Sequence, residues 1–126
     1  MGRAIVIAAP TSTSGKTVVT LGLIRALRRQ GLRVASAKVG PDYIDPRFHA
    51  HASGRPCPNL DPWAMGETGC AALLEAASGD ADLIIIEGVM GLFDGPHGAS
   101  GSTADLAAAL GLPVVLVVDA RHQSQS

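Results

Sequence analysis

Gly15-Lys16-Thr17 closes the polar stretch Pro10-Thr11-Ser12-Thr13-Ser14, which directly follows the apolar run Ala4-Ile5-Val6-Ile7-Ala8. A loop of this kind between a strand and a helix can wrap an anion. Successive backbone N–H groups turn inward, and the start of the helix adds unpaired donors at the positive end of its dipole. Lys16 would place a cation at the β- and γ-phosphates of a nucleotide, and the Thr17 hydroxyl would be a ligand for Mg²⁺. Gly15 lets the backbone pass close to the phosphates, with Ser12, Thr13 and Ser14 lining the loop. The usual pattern, G-x-x-x-x-G-K-[ST], has a glycine where this chain has Pro10. Pro10 has no N–H to donate, but the donors come mainly from the residues after it. The competing reading is a plain helix start that happens to spell GKT.

Two acidic segments emerge where the loop does. KVGPDYIDP (38–46) follows one apolar run and EGVMGLFDG (87–95) ends another, so Asp42, Asp45, Glu87 and Asp94 are candidates to converge on the loop. Glu87 is the first acid after Leu83-Ile84-Ile85-Ile86, the position of an acid that would face Mg²⁺, which demands octahedral oxygen ligation. A strand-end acid can equally serve a solvated turn or an N-cap. Lysine is scarce: Lys16 and Lys38 stand among eight arginines, and both fall at or just after the carboxyl end of an apolar run. That is where α/β sheets bind ligands. Tyr43, Phe48, Trp63 and Phe93 all lie outside the expected strands, either lining a pocket for a large flat ligand or closing the core beneath loops.

These residues need elements to hold them. Apolar runs over 4–8, 33–39, 82–88 and 114–120 read as strands, the third apolar enough to be buried on both faces. Helical periodicity covers 16–30, with Val18, Leu21, Leu23, Ile24 and Leu27 on its apolar face and Gly31 as its stop, and also 66–77 and 103–110. Ser102 and Thr103 suit an N-cap, with Asp105 in the first turn. Residues 40–62, punctuated by proline and glycine, carry little periodicity. Alternation of strand and helix with buried strands predicts an α/β fold: a parallel sheet of the P-loop NTPase type with helices on both faces. The polar tail after Asp119 follows a strand abruptly, so the sequence reads as an incomplete domain.

Bulk properties narrow the function classes. With 126 residues, 47% of them hydrophobic, and a formal net charge of −1, the composition is that of one globular domain with no broad attraction to nucleic acid or an anionic membrane. No apolar run approaches the roughly 20 residues of a spanning helix. Cys57 and Cys70 form neither a disulfide framework nor a CxxC knuckle, and read as free thiols of a cytoplasmic protein. His49 and His51 with Cys57 lack the paired spacing of a closed zinc site.

Taken together, APTSTSGKT, KVGPDYIDP…H, NLDPW, IIIEGVMGLFDG, GSTADLAAALGLPVVLVVDAR and the closing QSQS closely resemble the N-terminal part of the a,c-diamide synthases of cobalamin biosynthesis, which act on cobyrinic or hydrogenobyrinic acid. The resemblance implies a synthetase domain similar to dethiobiotin synthetase, followed by a class I glutamine amidotransferase domain. It also implies a loop variant that tolerates the residue at Pro10. ATP would phosphorylate the c and then the a acetate carboxylate of the corrinoid acid, and ammonia from glutamine would displace the phosphate. Lys16 would hold the phosphates, Lys38 would lie near them, and Thr17, Asp42 and Glu87 would form the Mg²⁺ set. Tyr43, Asp45 and Asp94 would face the macrocycle, with Asp45 and Asp94 also taking part in catalysis.

On this reading residues 1–126 supply part of the ATP and substrate site, and the amidotransferase domain lies outside them. Neither Cys57 nor Cys70 has the surroundings of that domain's nucleophile, so the chain is not expected to complete the amidation with glutamine. The family suggests a homodimer. The rival readings are a ParA/MinD-like partitioning ATPase, which usually carries an extra lysine early in the loop where Pro10 to Ser14 have none, and an inactive fragment.

Overall fold

Strands whose side chains are apolar on both sides must be covered on both sides, and this chain achieves that with a parallel sheet between two helical layers. The structure is a computed structural model describing residues 3–11, 15–40, 44–89, 91–94 and 102–121. Ser12, Thr13, Ser14, Asp42 and Tyr43, all candidate site residues, lie outside the described residues. The elements in chain order are β1 (Arg3–Ala8), α1 (Lys16–Arg29), β2 (Val34–Val39), α2 (Asp45–Ser53), β3 (Asn59–Leu60), α3 (Pro62–Ser78), β4 (Leu83–Glu87), α4 (Thr103–Leu110) and β5 (Val114–Leu116). The sheet order is β3-β2-β4-β1-β5, and every pairing is parallel.

Alternation along the strands sorts the core into two layers. Val6 and Ala8, Ala35 and Ala37, and Ile84 and Ile86 pack with Cys70 and Leu74 of α3 and Leu106 and Ala107 of α4. Their neighbours Ile7, Val34 and Ile85 pack with Ile24 of α1 and Ala52 of α2. The expected α/β architecture with helices on both faces is therefore present. At the amino ends, Asp82 accepts from the Arg33 backbone N–H at 2.8 Å and from its guanidinium, tying β2 to β4. These contacts to Arg33, with the Arg55 and Arg33 charges beside Asp80, hold both aspartates below the usual carboxylate range.

Several element ends follow the local signals. Gly31 takes φ +92°, and the Gly31 and Leu32 N–H groups close α1 on the carbonyls of Arg28 and Leu27. Ser102 and Asp105 form a reciprocal capping box at the start of α4.

Other expectations are corrected. The 40–62 segment holds α2 and β3. α3 begins at Pro62 rather than 66, because the Asp61 carboxylate accepts from the N–H groups of Trp63 and Ala64 and caps it there; Gly66, at φ +69°, kinks it. Val18 does not join the apolar face of α1 and is 76% exposed. The face turned inward carries Lys16, Thr20 and Ile24, and two residues of helix rotate Val18 about 200° away from Lys16. β5 is shorter than 114–120 and its residues are partly exposed, since among the described residues it pairs with β1 alone.

Two outcomes check this packing. Leu74→Ala, at a fully buried site, is expected to lower unfolding free energy by about 2–5 kcal/mol in urea titrations, whereas Val18→Ala should change it by less than about 0.5 kcal/mol. Equal effects would contradict the layer assignment. For the Arg33–Asp82 tie the depressed carboxylate stabilises above its unfolded pKa and loses that contribution as pH falls through the folded value. Asp82→Asn should therefore lower the urea midpoint at neutral pH, and the gap to the native protein should begin to shrink near about 3.9, the ordinary Asp value, and close only below the depressed folded value. A gap independent of pH would refute it.

Candidate functional site

Parallel pairing brings the carboxyl ends of β1, β2 and β4 to one edge, and the register aligns Ile7, Glu87 and Lys38 side by side across it. Glu87 lies two residues beyond Ile85, and Lys38 four beyond Val34, so both face the layer of α1 and α2. That layer delivers the remaining groups. Gly15 adopts φ +81° at the start of α1 and contributes no side chain to cap it, while its carbonyl accepts the first helical bond from Val19. Lys16 is buried, its carbonyl taking the Thr20 hydroxyl at 2.8 Å. Thr17 then turns its hydroxyl toward the sheet edge.

Glu87 is the centre of this cluster and is fully buried. Its Oε2 accepts from the Thr17 hydroxyl at 2.9 Å and lies 3.3 Å from Lys38 Nζ. Its Oε1 is bonded to His49 Nε2 at 2.9 Å. Lys38 Nζ also donates to the Gly88 carbonyl at 2.7 Å. Burial works to raise the Glu87 pKa, yet the His49 bond, the Lys38 charge and the Thr17 hydroxyl hold it below the usual carboxylate range. For His49, burial alone would lower the pKa; the Cys57 thiol and the Glu87 carboxylate beside it outweigh this and hold it at about 9. By geometry Nδ1 makes no hydrogen bond among the described residues, and the Cys57 thiol faces the Pro58 carbonyl at 3.8 Å.

Asp45 opens α2, with Oδ2 3.3 Å from the Thr17 hydroxyl. The hydroxyl has one hydrogen, and the shorter contact assigns it to Glu87. Thr17, Lys38, Asp45 and Glu87 thus come together beside Gly15 and Lys16. Asp94 is not brought into this group. It is exposed, and its Oδ2 accepts the Gly91 N–H at 2.9 Å across a short turn. That turn rests on the end of β1 through the Leu92 N–H to Ala9 carbonyl bond, 2.7 Å. It does so at close range: a Cβ at Gly91 would stand 2.5 Å from the Pro10 carbonyl oxygen.

Of the aromatic side chains, Phe48, Trp63 and Phe93 are exposed, so none of these closes the core beneath a loop. His49 was weighed from the sequence only as a zinc ligand with His51 and Cys57, and its contact with Glu87 was missed. Its only local signal was its place one turn after Asp45 in a segment without clear periodicity, and the motif KVGPDYIDP…H ends on it.

The donors suit Mg²⁺. Thr17, Glu87 and Asp45 offer oxygen only, and among the described residues no group of three or more His, Cys, Asp or Glu is arranged to hold a metal by itself. Mg²⁺ characteristically binds through one or two carboxylates together with substrate phosphates rather than in an all-protein cage.

Comparison with known proteins bears on this arrangement. Residues 5–125 match the CobQ/CobB/MinD/ParA nucleotide binding domain, CbiA. The chain belongs to this family. It is 59% identical over 122 residues to the hydrogenobyrinate a,c-diamide synthase of Rhizobium meliloti, covering 97% of this chain and 28% of that protein. It is 58% identical over 123 residues to that of a Sinorhizobium species, covering 97% and 28%, and 55% identical over 128 residues to that of Rhodobacter capsulatus, covering 98% and 29%. The chain therefore spans less than a third of these relatives, and the resemblance read from its motifs is borne out. Among solved structures, the signal recognition particle receptor FtsY from Elizabethkingia anophelis, in complex with GDP, superposes with a TM-score of 0.54 at 18% identity, covering 88% of this chain and 34% of that one. At that identity the likeness concerns the fold. No described helix is long and apolar enough to cross a membrane.

The cluster predicts a thermodynamic coupling. Lys38→Met should destabilise the protein by about 3–5 kcal/mol because it strips a partner from a buried carboxylate. In the double variant with Glu87→Gln the loss should be smaller than the sum of the single losses by more than about 1 kcal/mol. Urea unfolding of the four proteins measures this; strict additivity would show that the two groups do not interact.

Proposed function

We propose that this chain is the nucleotide-binding part of an a,c-diamide synthase acting on a corrinoid acid, hydrogenobyrinic or cobyrinic, in cobalamin biosynthesis. The observation that carries the reading is the buried Glu87 joined to Thr17 at 2.9 Å at the start of α1, in a chain up to 59% identical to synthases of that name. ATP is the nucleotide. Its γ-phosphoryl group passes to an acetate carboxylate oxygen of the corrinoid; ammonia then forms the C–N bond and phosphate leaves with the C–O bond's electron pair. Glutamine supplies the ammonia through an amidotransferase domain of the full-length protein, which acts in the cytoplasm and as a homodimer.

The roles follow from the chemistry. Phosphoryl transfer needs position and charge more than covalent help from the protein. Ser12, Thr13, Ser14 and Gly15 offer backbone N–H groups to the phosphates, and Lys16 neutralises charge growing on the transferred group. Thr17 and Glu87, with Asp42, hold Mg²⁺, which when bound offsets phosphate charge. Lys38 orients Glu87 from one side and presents the same rim with its cation. Asp45, at the start of α2, and Tyr43 take up the corrinoid carboxylate; Asp94 meets the substrate from the turn after β4.

The test is amidation by the full-length protein with hydrogenobyrinic acid, ATP, Mg²⁺ and glutamine. Lys16→Met is expected to lower kcat about 10²–10³-fold, in the range of losing one preorganised charge-stabilising group. An unchanged rate in that variant would overturn the site assignment. Nucleotide hydrolysis coupled to self-association, with no corrinoid amidation, would overturn the function in favour of a partitioning-type switch.

A further inference from the structure

Glu87 has two oxygens, and only one is engaged by Thr17 and Lys38. The other, Oε1, is bonded to His49 Nε2 at 2.9 Å, with both side chains fully buried. His49 lies one helical turn after Asp45 on α2, whose own buried face is His49, Ala52 and Ser53. Asp45 approaches Thr17 at 3.3 Å, so one face of α2 touches both the hydroxyl and the acid of the nucleotide edge. A packing role alone does not explain an imidazole here. Nδ1 is buried with no hydrogen bond among the described residues, a cost that an aliphatic side chain in this layer of Ile7, Ile24 and Ile85 would not incur.

We propose that His49 is a positioning residue: by holding Oε1 it fixes the rotation of the Glu87 carboxylate, so that Oε2 is presented to Thr17 and to the metal held there. A carboxylate clamped at one oxygen has its free lone pairs directed before the metal arrives, and none of the binding free energy is spent on orienting it. The contact also links the position of α2 to that of the acid, because the helix cannot move off the sheet without releasing Oε1. The inference rests on the reading of Glu87 as the metal-facing acid.

The experiment measures nucleotide affinity of the full-length protein by calorimetry, using ATP with and without Mg²⁺, in native protein and in His49→Gln, His49→Asn and His49→Leu. Gln places an N–H near the Nε2 position; Asn is too short to reach Oε1, and Leu has no donor. The gain in affinity on adding Mg²⁺ should fall at least tenfold in H49L and H49N and be largely restored in H49Q, while affinity without Mg²⁺ stays within about twofold throughout. Should H49L fail to fold, the comparison of H49Q with H49N decides. Equal Mg²⁺ gains in those two variants, or a loss that is the same with and without Mg²⁺, would overturn the positioning role. If native protein itself shows no Mg²⁺-dependent nucleotide binding, the functional reading fails instead, so the two failures are told apart.

Discussion

One buried carboxylate organises this molecule. Taking Glu87 out of water is expensive, with an effective penalty of several kcal/mol per ion even after relaxation. It is tolerated because three different elements each supply a partner: Thr17 from α1, Lys38 from β2 and His49 from α2. Remove any of these elements from its place and the charge is left short of compensation. The requirement reaches into the sheet register as well. Lys38 and Glu87 meet only because they are paired residues on adjacent parallel strands, and a slip of one residue would turn one of them toward α3 and α4.

The same geometry explains why the chemistry gathers at one edge. In a parallel sheet every strand ends in the same direction, so the segments after β1, β2 and β4 are neighbours although they are far apart in sequence. β4 lies directly between β1 and β2. The strand that carries the acid is thus hydrogen-bonded on one side to the strand that feeds the Gly15-Lys16-Thr17 turn and on the other to the strand that carries Lys38. Close approach at this edge also constrains glycine. A Cβ on Gly88 would come within 2.7 Å of the Thr103 side chain, whose hydroxyl accepts the Val89 N–H at 3.1 Å. The loop after the acid is thereby stitched to the start of α4.

How much of this was legible in the residues follows from how local each cause is. The strands 4–8 and 82–88, the helix start at Gly15-Lys16-Thr17, the stop at Gly31 and the cap at Ser102 are written in patterns of a few residues, and the structure carries them. The gathering of Thr17, Lys38, Asp45 and Glu87 was legible from topology, since each ends or follows a strand or opens the helix behind one. α2 was not legible. It is nine residues long, Pro46 and Gly54 bracket it, and its inward face is His49, Ala52 and Ser53, which has no apolar signature to read. β3 is two residues, too short to show alternation. His49 was hidden for the same reason, because its meaning depends on a partner 38 positions away.

The two comparisons constrain function unequally, and the site explains why. FtsY shares the fold at 18% identity, and one fold can host many functions. In this chain α2 is the next element after β2. There the general nucleotide edge receives Asp45 and His49 from a helix packed beside α1, in addition to the acid and hydroxyl that the junction itself provides. Phe48, on the same helix, is left exposed. One face of α2 therefore reaches the nucleotide edge while another shows an aromatic side chain to solvent.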